Sequence, residues 1–185
     1  MLNFYIAELA DAEAVAQLIN SAYRGESSRK GWTTEADILD GLRTTTTEIG
    51  KIIKRKDAFM LIGVLNDEII ATMCCEWQEL AGRDTVHFGM IAVKPTRQNK
   101  GHGKSLIKAA EAITLREWRV AGFHMAVISI RHELIAFYER LGYIKTGEFV
   151  DFPEKSDLWQ PKVEGLNLQY LAKLVEVGGL KPLTK

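Results

Sequence analysis

The run IAVKPTRQNKGHGKSL, from Ile91 to Leu106, ends in Gly-Lys-Ser, the residues that close a phosphate-binding P-loop. That motif also needs a glycine five positions before Gly103, and Gln98 stands there. Nor does a Mg²⁺-binding Asp follow the later apolar run FHMAVISI, which leads into Arg131. The dinucleotide pattern G-x-G-x-x-G fails as well, because Leu106 occupies the third glycine position. What fits is Gln98-x-x-Gly101-x-Gly103, between an apolar run and a helix. Such a turn presents backbone N–H groups beside the positive end of a helix dipole, so it can hold an anion. Its glycines permit positive φ and close approach of the main chain. An ordinary strand-to-helix turn punctuated by glycine accounts for the same residues. The elements around the loop have to decide.

LNFYIAE reads as a first strand, and Asp11 can cap a helix with Val15, Leu18, Ile19 and Ala22 on its apolar face. After the loop RGESSRKGW, Thr34 with Asp37 resembles a capping box and predicts a second helix running toward Gly50. AFMLIGVL and EIIATMCCEW form a hairpin across Asn-Asp-Glu, and TVHFGMIAV follows with Gly89 marking a bulge or a close approach. A helix from about Lys104 to Ala121 is stopped by Gly122. The strand FHMAVISI, the helix ELIAFYERLGY ended by Gly142 and the strand YIKTGEFV come next. A long loop, DFPEKSDLWQPKVE, precedes a last strand with Leu166, Leu168, Tyr170, Ala172 and Leu174 alternating on one face. The order β-α-α-β-β-β-α-β-α-β-β predicts one α/β domain over residues 1–185 with a mixed sheet.

Composition narrows the function. With 24 basic and 24 acidic residues the formal charge is zero, which gives no support to a nucleic-acid binder. No apolar run reaches membrane length and the first residues lack a secretion signal, so a cytoplasmic location is expected. Cys74 and Cys75 are adjacent, are poorly placed to pair with each other, and read as half-buried strand packing. His102, His124 and His132 show no metal-ligand spacing, and no metal is expected.

IAVKPTRQNKGHGKSLI and LIAFYERLGY, on these elements and at this spacing, resemble the GNAT superfamily of acyl-CoA-dependent N-acyltransferases. The resemblance covers nearly the whole chain. It implies a mixed sheet of about seven strands flanked by about four helices, splayed between the fourth and fifth strands. It also implies that the loop holds the pyrophosphate of acetyl-CoA, through Gln98, Asn99, Lys100, Gly101, His102, Gly103 and Lys104 with Ser105 near the helix start. The main chain of Ile91, Ala92 and Val93 would lie along the pantetheine arm.

Tyr138 falls where the family places the acid that assists the leaving thiolate; the plainer alternative is packing with Leu134, Ile135 and Leu141. His87 falls where many members carry a Glu base, and Glu76 on the preceding strand is the other candidate. Arg131 stands where many members have an Asn that contacts the cofactor arm, so a phosphate or an acceptor carboxylate is its expected partner. The acceptor site is expected near Arg24, Glu26, Arg29, Lys30, Trp32 and Glu35. Three basic residues there suit an acid group, and Glu26 or Glu35 suits an ammonium, although a solvated loop explains the same residues. The expected activity is N-acetylation of a small-molecule or amino-acid-like amine, without nucleic acid or membrane partners and with a homodimer allowed. A GNAT-fold acyl-CoA sensor without turnover and an NTP-binding protein are the rival readings.

Overall fold

The computed structural model describes residues 1–153 and 157–175. Seven strands form one sheet in the order β1 (Asn3–Ile6), β3 (Ala58–Leu65), β4 (Glu68–Leu80), β5 (Arg83–Val93), β6 (Gly122–Ile128), β9 (Asn167–Leu174), β7 (Ile144–Asp151). A separate pair joins β2 (Leu39–Gly41) to β8 (Trp159–Pro161). The helices are α1 (Ala12–Tyr23), the single turn α2 (Gly25–Ser28), α3 (Thr46–Ile53), α4 (His102–Trp118) and α5 (His132–Glu139). Among the described residues no helix is long and apolar enough to cross a membrane.

The sheet lies between two helical layers, and neighbouring residues of β4 show both. Cys74 packs with Val15, Ile19, Ile49 and Met60 under α1 and α3. Cys75 packs with Phe88, Leu106, Ile107 and Ile135 under α4 and α5. Successive side chains of a strand point to opposite faces, so a strand covered on both sides buries both cysteines instead of half-burying them. Burial pushes the Cys74 thiol up to about 12 and Cys75 well above its ordinary value, which makes both inert packing groups.

The hairpin turns follow local chemistry. Asn66 and Asp67 both have positive φ and close β3 onto β4, as a two-residue turn between right-twisted strands requires. Ala81 and Gly82 do the same between β4 and β5, which extends that hairpin beyond the expected strand ends.

Three expectations change. The second helix does not start at Thr34: residues 32–38 form turns, β2 follows, and α3 starts at a different cap, where Thr45 accepts from Glu48 N at 3.2 Å. Gly41 has φ +84, which is incompatible with a helix, and Leu39 is buried against Ile128 and Trp159. Asp11 stands at the N-cap of α1 as expected, but its side chain makes no cap bond there; its carboxylate accepts from Glu8 N at 2.8 Å and completes the capping box of the preceding 3-10 turn. The alternation of β9 also fails. Leu171, on the opposite face from the expected set, is the one fully buried position, while Leu174 of that set is exposed. Part of the expected loop DFPEKSDLWQPKVE falls on residues 154–156, outside the described residues, and its described part contains β8.

The sheet opens at its centre. β5 and β6 pair in parallel only over Thr85–Gly122, Val86–Phe123 and His87–His124. Beyond that point β6 pairs with β9 alone and β5 with β4 alone. On β5 the register shifts between Gly89 and Ala92, with Met90 at φ 51, so the bulge foreseen near Gly89 begins one residue later.

Gly41 provides a test of the β2–β8 pair. A Cβ there would sit 2.2 Å from Leu158 O on a backbone already at positive φ. Gly41→Ala is expected to destabilise the protein by about 1–3 kcal/mol or more, read from the urea midpoint; an unchanged midpoint would contradict this packing.

Candidate active site

The glycine loop builds one wall of a cavity of about 320 Å³. Asn99 at φ 61 and Gly101 at φ 80 turn the chain so that α4 starts without a side-chain cap. The N–H groups of His102, Gly103 and Lys104 precede the first full helical bond, from Ser105 N to Gly101 O at 3.0 Å. They therefore remain for an anion. A Cβ on Gly103 would make only ordinary contacts, 3.7 Å to Phe137 and 3.8 Å to Val93, both of which line this cavity. Lys104 and Arg140 also line it and add positive charge.

Gln98 turns inward. Its buried amide accepts from Trp32 N at 2.8 Å and donates to Thr33 Oγ1 at 2.9 Å and to Val93 O at 3.0 Å. It fastens the segment after α2 to the end of β5, and Gly31 leaves the space: a Cβ there would come 2.6 Å from Gln98 Oε1. The same segment is held from its other side by Arg131, which donates to Trp32 O at 3.3 Å and Thr33 O at 3.4 Å.

A second cavity, of about 180 Å³, opens in the gap between β5 and β6. Tyr138, Leu134 and Ile91 line both cavities, so the two meet at the Tyr138 ring. Tyr138 is buried, with Phe137 and Tyr143 edge-on at 5.3 and 6.3 Å. Burial holds its phenol well above the ordinary tyrosine value, and it stays protonated at neutral pH. His87 lines the second cavity, with Nε2 directed along β5 so that a Cβ at Gly89 would be 3.6 Å away. Burial lowers the His87 pKa from the ordinary imidazole value, partly opposed by Glu76, so His87 is neutral at pH 7 and able to accept a proton.

Charge enters the second cavity through Glu35, Arg43 and Arg131. Glu35 is buried and accepts a hydrogen bond from Arg24, with Arg131 4.0 Å from its other oxygen. Tyr23 donates to Ile91 O at 2.7 Å, which ties α1 to the bulge of β5. Burial pushes the Tyr23 phenol up to about 12.

Several sequence candidates lie away from both cavities. Glu76 stands directly across from His87 in the sheet, but its carboxylate accepts from Arg55 at 2.6 Å and lines neither cavity. Glu26 and Arg29 form an exposed ion pair at 2.9 Å, with Asp37 as a further partner of Arg29. Lys30, Lys100 and Ser105 are exposed, and Ala92 packs under α1. Trp32 lies at the cavity of the glycine loop, edge-on to Phe137 at 5.7 Å. Arg131 lies at the second cavity and not at the loop. Tyr23 and Arg43 were missed. Tyr23 reads as one more core position of α1, and Arg43 carries no local motif. Among the described residues no group of three or more His, Cys, Asp or Glu comes together.

A family model described as the Acetyltransferase (GNAT) family matches residues 12–143, a span that contains α1, the glycine loop and Tyr138. The chain belongs to this family, whose members generally use acetyl-CoA. No curated protein matches it. A probable acetyltransferase from Staphylococcus epidermidis superposes with a TM-score of 0.70 at 13% identity, over 94% of this chain and 99% of that one. The ribosomal-protein-S18-alanine N-acetyltransferase of Escherichia coli gives 0.67 at 15% identity, over 97% of each chain. The spermidine/spermine N-acetyltransferase SpeG of Vibrio cholerae gives 0.65 at 15% identity, over 94% and 92%. At such identities the likeness is one of fold.

Gln98 can be tested apart from any ligand. Gln98→Leu leaves Trp32 N and Val93 O without their partner and is expected to cost about 1–3 kcal/mol, read by chemical denaturation. An unchanged midpoint would mean that the amide is not what holds the Trp32 segment.

Proposed function

We propose that this protein is an N-acetyltransferase that moves an acetyl group from acetyl-CoA to a primary amine of a small-molecule or amino-acid-like acceptor. The observation that carries this reading is the meeting of the two cavities at Tyr138, one under the unfilled N–H groups of α4 and the other beside neutral His87. The free N–H groups, the absence of any Cβ on Gly101 and Gly103, and the nearby Lys104 and Arg140 fit a pyrophosphate.

Acetyl-CoA, when bound, supplies an activated thioester carbonyl. The amides from Asn99 to Lys104 hold its anionic end, and the Ile91–Val93 main chain borders the route toward Tyr138. His87 takes one proton from the acceptor ammonium, leaving the amine lone pair free to attack the thioester carbon; as the C–S bond breaks, the new amide nitrogen gives up its second proton, which makes good the one the sulfur takes. The Tyr138 hydroxyl donates to the departing sulfur. A thiol has a reference pKa of about 8.5 and a phenol about 10, and burial holds Tyr138 higher still, so the hydroxyl assists by a hydrogen bond and partial transfer during departure, with no driving force for full transfer. Main-chain N–H of β5 beside the bulge, with Ile91 the first candidate, receives the charge developing on the carbonyl oxygen.

Acetyl-CoA or CoA is expected to raise Tm, whereas ATP with Mg²⁺ does not, since a ligand of the native state stabilises by RT ln(1 + [L]/Kd). Gly103→Asp aims a carboxylate into the loop cavity and should abolish the CoA shift in a folded protein. A shift with ATP alone would overturn the assignment.

Tyr138→Phe keeps the ring and is expected to lower kcat by about 10²-fold with the CoA-induced Tm shift intact. Equal turnover would return Tyr138 to a packing role.

The ascending limb of kcat/KM against pH should lie below the ordinary His value of about 6.5, because protonation of His87 removes the base and burial has lowered its pKa. His87→Gln should remove that limb on the same acceptor, while Glu76→Gln keeps it and moves it to lower pH, because the Glu76 charge no longer opposes the lowering of the His87 pKa. A wild-type profile and rate in His87→Gln would reject His87 as the base.

A further inference from the structure

Among the described residues the charges around the second cavity do not balance, and their arrangement points to what the acceptor carries. Glu35, the acidic residue of its wall, is committed to Arg24 and faces Arg131. It is therefore poorly suited to hold a substrate ammonium, and Glu26, exposed and paired with Arg29, lines neither cavity. Counted among the described residues, Arg24, Arg43 and Arg131 supply three positive charges against the single negative charge of Glu35, an excess of two. Arg24 and Arg131 approach the two oxygens of Glu35, and Arg43 lines the same cavity as Glu35 and Arg131.

The arginines differ in how they are used. Arg24 is buried and bonded to Glu35. Arg131 spends N–H groups on Trp32 O and Thr33 O. Among the described residues Arg43 donates no side-chain hydrogen bond and has no carboxylate within ion-pair distance, yet its position is built. Asn20 of α1 accepts from Arg43 N at 2.8 Å and Thr44 N at 3.2 Å, and donates to Thr44 O at 3.0 Å. The guanidinium lies 5.7 Å from the centre of the Trp159 ring, on the β8 strand paired with β2. A guanidinium held over an aromatic face, with its fork of N–H donors unspent, suits a planar or phosphate-like acid group.

We infer that the acceptor is a compact primary amine that also carries an acid group, carboxylate or phosphate, received by Arg43 with Arg131 behind it, while its amine reaches His87 and Tyr138. The inference rests on the acetyl-transfer reading and narrows it. The excess of positive charge attracts such a molecule and opposes a polyamine, so the substrate named for SpeG of Vibrio cholerae is not expected here. The same field favours loss of the ammonium proton at the point where His87 must take it.

The test is a matched acceptor series with acetyl-CoA, followed by thiol release: a free amino acid, its carboxamide, its decarboxylated amine, an aminoalkyl phosphate and spermidine. An acid-bearing acceptor is expected to exceed its uncharged or cationic counterparts by about tenfold or more in kcat/KM, the range for a hydrogen bond to a charged group. The carboxylate and phosphate arms separate the two sources of the acid group. Arg43→Gln should shrink the preference to below about threefold while CoA still raises Tm. A carboxamide, decarboxylated amine or spermidine acetylated as well as the acid-bearing compounds would overturn the inference, as would a preference unchanged in Arg43→Gln. If no amine is acetylated, acetyl transfer itself fails, and calorimetry on the CoA-loaded protein decides the narrower point. Binding of the amino acid or aminoalkyl phosphate over the carboxamide, lost in Arg43→Gln, supports the acid-group site, and equal binding overturns it.

Discussion

Parallel pairing of β5 with β6 ends at His87 and His124, and the candidate site depends on that break. A strand that leaves its neighbour strands backbone polar groups, which must find other partners when they are buried. Here the substitutes come from far along the chain. Ile91 O is taken by the Tyr23 hydroxyl of α1, and Val93 O by the Gln98 amide. The left-handed turn at Met90 directs the strand away from β6. Partners that are side chains, in place of a continuous ladder, leave a gap that holds the second cavity, beside the first cavity under the glycine loop. Tyr138 occupies that junction because α5 packs across the mouth of the gap, with Leu134 and Ile135 buried beneath it.

The second constraint is the ionic cluster behind the gap. Burying Glu35 and two arginines is costly unless each charge is matched, and removing one partner of such a set is far more damaging than its net worth suggests. The match is incomplete: Arg24 Nε and Nη2 are buried without a partner among the described residues. Such a cluster is a weak source of stability. It does set a rigid electrostatic floor, because Arg24 follows α1, Glu35 donates its N–H to Tyr23 O at 2.9 Å, and Arg131 starts α5. Movement of any of these elements is coupled to the others through one carboxylate.

The two walls of the site differ in how they are made. The loop wall is local, built from consecutive residues whose backbone does the binding, and needs only the turn and the helix behind it. The acceptor wall is assembled from α1, the β2–β8 pair, β5, β6 and α5, whose residues are up to about a hundred positions apart in sequence, as in the hydrogen bond from Arg131 to Trp32. Loops and short paired strands of this kind vary most readily, because few backbone bonds of the main sheet depend on them.

Read as sequence, the chain discloses what short-range physics controls. Glycine spacing marks the loop and the start of α4, Asn66-Asp67 marks a hairpin, and apolar periods mark α1, α4 and α5; the end of α4 was misplaced, since the helix stops at Trp118 with Arg119 at φ 52 and Gly122 already belongs to β6. The motif match at Tyr138 is equally local. The second helix was misread because two Ser/Thr-x-x-Asp/Glu patterns compete, and only the contact of Gly41 with Leu158 O and the burial of Leu39 choose Thr45. What the sequence could not disclose are choices made across the sheet. Gln98 points inward since Trp32 N and Val93 O need a partner; Glu76 is held by Arg55 while His87, directly opposite, lines the cavity. Arg43 shows the limit most clearly. Nothing beside it in sequence sets it apart from Arg29, yet Arg29 meets two acids on the surface and Arg43 reaches the cavity with no acid partner among the described residues, because Asn20 and the β2–β8 pair carry it there. Spacing along a chain specifies which residues share a turn or a face; which charge is left without a partner is decided only when distant elements close around it.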